Sequence, residues 1–116
     1  EYARANLARR EFAGNLDALF ETIDPMVVPV TPNPVPTVDE FARICPDPDG
    51  LEGLIRFTCI YDVSGHPTIT LPAGLSESGG PLAFQLVGPR LSEALLVRAG
   101  HLWQADFGWD RRPPLG

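Results

Sequence analysis

Two short runs of two-residue period, Thr68-Ile69-Thr70-Leu71 alternating polar and apolar and Leu82, Phe84 and Leu86 alternating with Ala83, Gln85 and Val87, flank the turn-rich stretch PAGLSESGGP. A two-residue period sends successive side chains to opposite faces, the pattern of a half-buried strand. The glycines between the runs permit the positive φ that a chain reversal needs. The pair therefore reads as an antiparallel hairpin. A lone hairpin is marginal in water, so this one requires a further strand and helical cover.

Both are legible on either side. Phe12, Leu16, Leu19, Phe20 and Ile23 recur on one helical face, and Asp24-Pro25 ends that helix because the residue before proline avoids the α region. The valine-rich run Met26 to Val30 is too short for a helix and reads as a buried strand, with Pro29 limiting its ladder to one side. TPNPVP is extended, VDEFARI is a loop with weak helical character, and CPDPDG is a turn. Asp49 is the expected N-cap of a helix carrying Leu51, Leu54, Ile55 and Thr58, stopped by Gly65 and Pro67. A last helix begins near Ser92, with Leu95, Ala99, Leu102 and Trp103 expected inward, before Gly108 and the RRPPLG tail. The expected fold is α/β, in the order α-β-loop-α-β-β-α: a small mixed sheet with a β-hairpin, flanked by about three helices. Residues 1–116 form one segment. Three short strands with so little cover also read like one end of a larger domain.

Composition narrows the partners. With 44% hydrophobic and 21% charged residues the chain is globular in type, and its formal net charge is -6. No basic run is longer than Arg9-Arg10 or Arg111-Arg112, so the clustered charge that a nucleic-acid backbone demands is missing. No apolar run reaches the roughly 20 residues of a membrane span. EYARANLARREF has no apolar core of a signal peptide, and Glu1 stands where methionine would start a chain, which reads as processing or truncation. Cys45 and Cys59 lack CxxC spacing or partnered histidines and are expected as free thiols. The expected setting is cytoplasmic.

Several residues invite a chemical reading. Asp62, Ser64 and His66 alternate within five positions, but a triad this local leaves no room for an imidazole to bridge serine and carboxylate. The GxSxG elbow is absent. Ser64 reads instead as a cap at a helix end, Ser76 and Ser78 read as turn residues, and a backbone hydrogen bond explains His66, before a proline at a strand entry, as well as catalysis would. His101 reads as a partly buried helical histidine. Asp47 and Asp49 resemble a fragment of a calcium loop without its other ligands. Trp103 and Trp109 read as packing residues. All nine basic residues are arginine, so a phosphate-cradling GxxxxGK[ST] cannot occur.

Taken in order, Ser64-Gly65-His66-Pro67, Pro72-Ala73-Gly74 and Gln85-Leu86-Val87-Gly88-Pro89 resemble the C-terminal part of the amidase signature family. FETIDPMVVPVTPNPVP upstream is similar to that family's helix, buried strand and proline-rich exit, and LSEALLVRAGHLWQA to its last helix. Asp62 stands where many members have asparagine and Ala83 where many have glycine, changes that touch a turn or packing and leave the fold intact. The resemblance implies carboxamide hydrolysis through an acyl-enzyme, by a serine assisted by a second serine and a lysine, with a glycine-serine-rich loop at the oxyanion. This chain has no lysine, and SESGG is a short hairpin turn that opens no helix. No residue is therefore assigned as catalytic, cofactor-binding or metal-ligating, and no cofactor is expected. The implied partners are the rest of an amidase domain or a second copy joined through an exposed sheet edge. An amide substrate is expected only in the complete enzyme. A non-catalytic binding or scaffold module derived from the same fold, and an amidotransferase branch of the family, are the alternatives.

Overall fold

Eight elements follow one another in a computed structural model that describes residues 1–108: helix α1 (Tyr2–Leu19), strand β1 (Met26–Pro29), helices α2 (Val38–Ile44), α3 (Pro48–Ile55) and α4 (Cys59–Ser64), strands β2 (Thr68–Leu75) and β3 (Pro81–Val87), and helix α5 (Glu93–Phe107). Trp109, expected to pack, and the RRPPLG tail lie outside the described residues.

The hairpin forms as its alternation demands. Ser76 N–H donates to Gly80 O at 2.8 Å, and Gly79, at φ 84°, donates to Ser76 O at 2.9 Å. Strand β2 runs four residues beyond Leu71 because a bulge between Pro72 and Gly74 keeps it in register with Leu82 and Pro81. The sheet order is β1-β3-β2, and both outer strands run antiparallel to β3. The sheet is thus antiparallel throughout rather than mixed. Strands β1 and β2 share a direction, but β3 lies between them and no parallel pair arises.

The described residues form five helices where about three were expected, for two local reasons. VDEFARI is a full helix because Thr37 and Glu40 form a reciprocal capping box: Thr37 N–H donates to Glu40 Oε2 at 2.8 Å, and Glu40 N–H donates to Thr37 Oγ1 at 3.3 Å. Downstream, the chain breaks near residues 56–58 and divides one expected helix into α3 and α4. The N-cap of α3 is Asp47, not Asp49. Pro48 takes the first helical turn, where its missing N–H has no ladder partner to lose. Gly65, left-handed at φ 75°, ends α4 as anticipated.

The two sheet faces are covered on opposite sides. On one face Ile69, Leu71, Phe84 and Leu86 pack against Leu96, Ala99 and Trp103 of α5. On the other, Val87, Met26 and Val28 pack against Phe20 and Leu16 of the first helix and against Ile60 and Tyr61 of α4. The inward residues of α5 are Leu96 and Gly100; Leu95 and Leu102, expected inward, are exposed. Gly100 allows the close approach, since a Cβ there would stand 3.0 Å from Ile69 Cδ1. Ile23 and Leu19 are likewise exposed, and of the first helix's expected face Phe20 alone is buried, one residue past the last helical turn.

Cover is incomplete. Among the described residues only six hydrophobic ones are buried, against sixteen large ones exposed. The accessible surface is 8638 Å², where a folded monomer of this mass has roughly 6200 Å². The radius of gyration is 16.7 Å, against roughly 13 Å for a compact domain of this length.

Candidate functional site

The polar residues that the sequence singled out converge where α4 ends and β2 begins. Ser64 is the last residue of α4, and its hydroxyl lies 3.3 Å from Tyr61 O, within the same last turn. It also lies 3.0 Å from Nδ1 of His66. The His66 side chain is wholly buried, and its ring stacks obliquely on Phe20 with centroids 5.3 Å apart. Its Nε2 lies 3.2 Å from Oδ1 of Asp17, which reaches over from α1, but the approach is off the axis a hydrogen bond requires.

Asp17 is shared. Arg90, just beyond β3, donates Nε–H to the same Oδ1 at 2.8 Å and reaches the carbonyls of Ser64 at 2.9 Å and Gly65 at 3.4 Å. Leu91, at φ 61° and 91% exposed, makes the turn after it. Three segments distant in sequence are thus pinned at one point. Burial pushes the pKa of His66 down, the Arg90 guanidinium pushes it further, and Asp17 opposes both. The balance favours the neutral imidazole.

Serine, histidine and carboxylate do come together, but not as Asp62, Ser64 and His66. The carboxylate is Asp17, and no local signal in the sequence pointed to it. The order is also unlike that of a hydrolytic triad, since Nδ1 faces the serine and Nε2 the carboxylate. Ser64 is 5% exposed, and Asp17 is already neutralised by a guanidinium. An imidazole flanked by Arg90 is a poor general base, because the cation disfavours the proton it would have to accept. His66 is held by two side chains rather than by a backbone bond. A cleft of about 300 Å³ opens beside the cluster, bordered by Arg9, Arg10, Asp17, Ser64 and Arg90. Its guanidinium at Arg90 is committed to internal partners.

The other candidates stay apart. Ser76 and Ser78 bond each other at 2.9 Å, and Ser76 also accepts from Gly80 N–H at 3.0 Å. Trp103 is a packing residue as read: it meets Phe84 edge-on at 5.0 Å and donates Nε1–H to Pro72 O at 2.9 Å. His101 is exposed on the outer side of α5 rather than partly buried. Cys45 and Cys59 are free thiols. Missed by the sequence reading was Gln85. It is 2% exposed and donates to Phe57 O at 2.6 Å, tying β3 to the link between α3 and α4. A polar residue inside an otherwise apolar run is the signal that could have found it. No helix among the described residues is long and apolar enough to cross a membrane.

Fold and site together define a scaffold layer: a small antiparallel sheet, helices on diagonally opposite quarters, and a polar pin whose serine and histidine are buried. The chain belongs to the amidase family, whose profile matches residues 1–97, and it is a C-terminal segment of that fold. It is similar to the amidase-family protein AmiD of Mycobacterium tuberculosis, with 37% identity over 114 residues covering 98% of this chain and 24% of AmiD. It also resembles a glutamyl-tRNA(Gln) amidotransferase subunit of Rhodopirellula baltica, with 36% identity over 97% of this chain and 22% of the relative. Among solved structures it superposes on 6-aminohexanoate cyclic dimer hydrolase with a TM-score of 0.77 and 27% identity, covering 92% of this chain and 24% of that one. The corresponding glutamyl-tRNA(Gln) amidotransferase subunit of Thermotoga maritima shares the fold, with a TM-score of 0.81 at 22% identity, over 91% of this chain and 22% of that one. The chain spans about a quarter of the length of the curated relatives it matches.

Proposed function

We propose that this chain works as the C-terminal scaffold of an amidase-type hydrolase, cleaving a carboxamide C–N bond only together with the rest of an amidase domain. The observation that carries this reading is the surplus of exposed surface, 8638 Å² with sixteen large hydrophobic side chains uncovered. Such a surface is suited to being the inner side of something larger. None of the chain's residues is assigned a catalytic, cofactor-binding or metal-binding role. A lysine able to relay a proton is absent from all 116 residues. Ser64 and His66 are buried, Asp17 is half-exposed and paired with Arg90, and the imidazole is oriented against hydrolysis. The cluster's work is mechanical: it holds α1, the start of β2 and the end of β3 in one arrangement.

An amide is the substrate of the complete enzyme, and neither nucleic acid nor membrane is a partner. Cys45 and Cys59, both free thiols, support a cytoplasmic setting. The same exposed faces favour one second reading, a non-catalytic binding or scaffold module that retains the amidase layer. Ammonia release from simple aliphatic and aromatic amides tests the reading. The chain alone should give none above the uncatalysed rate. Turnover that disappears in Ser64→Ala or His66→Gln would overturn it.

A further inference from the structure

Arg9 and Arg10 sit side by side on α1 with no acidic residue in reach along the helix. The positions three and four residues away hold Ala5, Asn6, Leu7, Phe12, Ala13 and Gly14, so the pairing that steadies a solvated arginine on a helix is missing. No other element supplies it. Among the described residues neither guanidinium makes an ion pair or a hydrogen bond, although acidic residues outnumber basic ones 15 to 9.

Both arginines border the cleft of about 300 Å³ that Asp17, Ser64 and Arg90 also border. Its charge is divided along α1. Asp17 and Arg90 are paired at 2.8 Å and cancel. Arg9 and Arg10 stand two helical turns away, roughly 11 Å along the axis, and their two positive charges are uncompensated. Between the two ends the floor is Ala13 and Gly14, with Val63 beside it. A Cβ at Gly14 would meet nothing within 4 Å, so the floor is open rather than filled by the chain. A net charge of -6 repels anions from the molecule at large, which leaves this local surplus to draw one in.

We infer that this cleft binds a small phosphate monoester, its phosphoryl group held by Arg9 and Arg10 and its ester carbon over Ala13 and Gly14. Two guanidinium forks offer more N–H donors than the paired oxygens of a carboxylate can use, whereas a phosphoryl group presents three acceptor oxygens. Its charge of roughly -1.5 to -2 at neutral pH also matches the surplus, where a carboxylate brings a single charge. Small-molecule sites span roughly 300–1,000 Å³, and a cleft at the lower end of that range suits a monoester with a short carbon chain. The inference goes beyond the scaffold reading and does not depend on it, because every bordering residue belongs to this chain.

The test titrates the isotope-labelled chain with glycerol 3-phosphate, inorganic phosphate and acetate at fixed ionic strength, following amide resonances. Glycerol 3-phosphate should shift Arg9, Arg10, Ala13, Gly14 and Val63 saturably and bind more tightly than inorganic phosphate, while acetate should not saturate. The double variant Arg9→Gln/Arg10→Gln should weaken binding by roughly tenfold or more, since charge-assisted bonds are lost. Gly14→Leu keeps every charge, favours the helix and fills the cleft. It should weaken binding as much without lowering the melting temperature. Arg4→Gln removes a charge from the same helix outside the cleft and should bind as the parent does. Parent-like binding by the double variant or by Gly14→Leu overturns the site. So does a loss in Arg4→Gln as large as in the double variant, which is general attraction to helix charge. Equal affinity for acetate or inorganic phosphate, or tighter binding of a phosphoserine peptide, overturns the choice of ligand. No saturable shift with any probe overturns the inference outright.

Discussion

Ser64→Ala separates a structural pin from a reaction centre. The substitution removes one hydroxyl that is 5% exposed and leaves Nδ1 of the fully buried His66 without its 3.0 Å partner. An orphaned buried polar atom costs about 1–3 kcal/mol, whereas the methyl of alanine recovers little because the site is already filled. The contact to Tyr61 O at 3.3 Å is long and adds the smaller share. For a chain of this size each kcal/mol lowers the melting temperature by about 4–8 °C. Ser64→Ala should therefore melt roughly 4–24 °C below the parent, read by far-ultraviolet circular dichroism and confirmed by urea titration with an unchanged m-value. Within the complete amidase assembly, amide turnover measured well below the variant's melting temperature should stay within a fewfold of the parent. A hydrolytic serine would behave in the opposite way, losing on the order of 10³-fold or more in turnover with stability intact. That second pattern, or a variant as stable as the parent, would refute the reasoning.

The neutral state of His66 predicts a pH dependence. Its pKa is depressed in the fold by burial and by Arg90, so the unfolded chain binds the proton more readily. The contribution is fully present above the unfolded value of about 6.5 and is lost as pH falls through it toward the folded value. Urea titrations from pH 8 to pH 5.5 should show stability declining on the acid side, with a flatter profile in His66→Gln. Leu91→Gly should stabilise the chain by about 1 kcal/mol in thermal melts, because leucine pays for a left-handed φ of 61° while burying nothing. Gly100→Val should destabilise by about 1–3 kcal/mol, since a Cβ there already stands 3.0–3.2 Å from Ile69 and Leu71. A neutral result in the same melt would mean that α5 shifts to make room. Thr37→Ala should cost about 1 kcal/mol of helix stability by breaking the capping box of α2, seen as faster amide exchange at Glu40 and Phe41.

Local rules placed much of the fold in advance. Alternation marked β2 and β3, valine content and Pro25 marked β1, and Gly65 marked the end of α4, because each depends only on neighbours in sequence. Even the one-sided role of Pro29 was legible, since proline lacks a donor wherever it stands. The face of α5 was not. Leu95, Leu96, Val97, Ala99 and Leu102 surround that helix with apolar groups, so periodicity alone could not choose the buried stripe. Contact with Ile69 and Leu71 made the choice, and it favoured Gly100, the residue with no side chain to obstruct them.

The polar site divides in the same way. Ser64 and His66 announced themselves, and their failure to form a triad with Asp62 followed from chain geometry. Their actual partners, Asp17 and Arg90, lie on other elements, and Arg90 is 73 residues from the aspartate it binds. No local pattern encodes an encounter over that distance. By itself the sequence determined the strands, the hairpin, the family resemblance and the absence of a relay lysine, all of them properties of short windows or of composition. Tertiary structure alone decided that β3 lies between β1 and β2, that Asp17 joins Ser64, His66 and Arg90, and that Val27 is left uncovered. Those follow from which surfaces meet, and the meeting is set by packing across the whole chain.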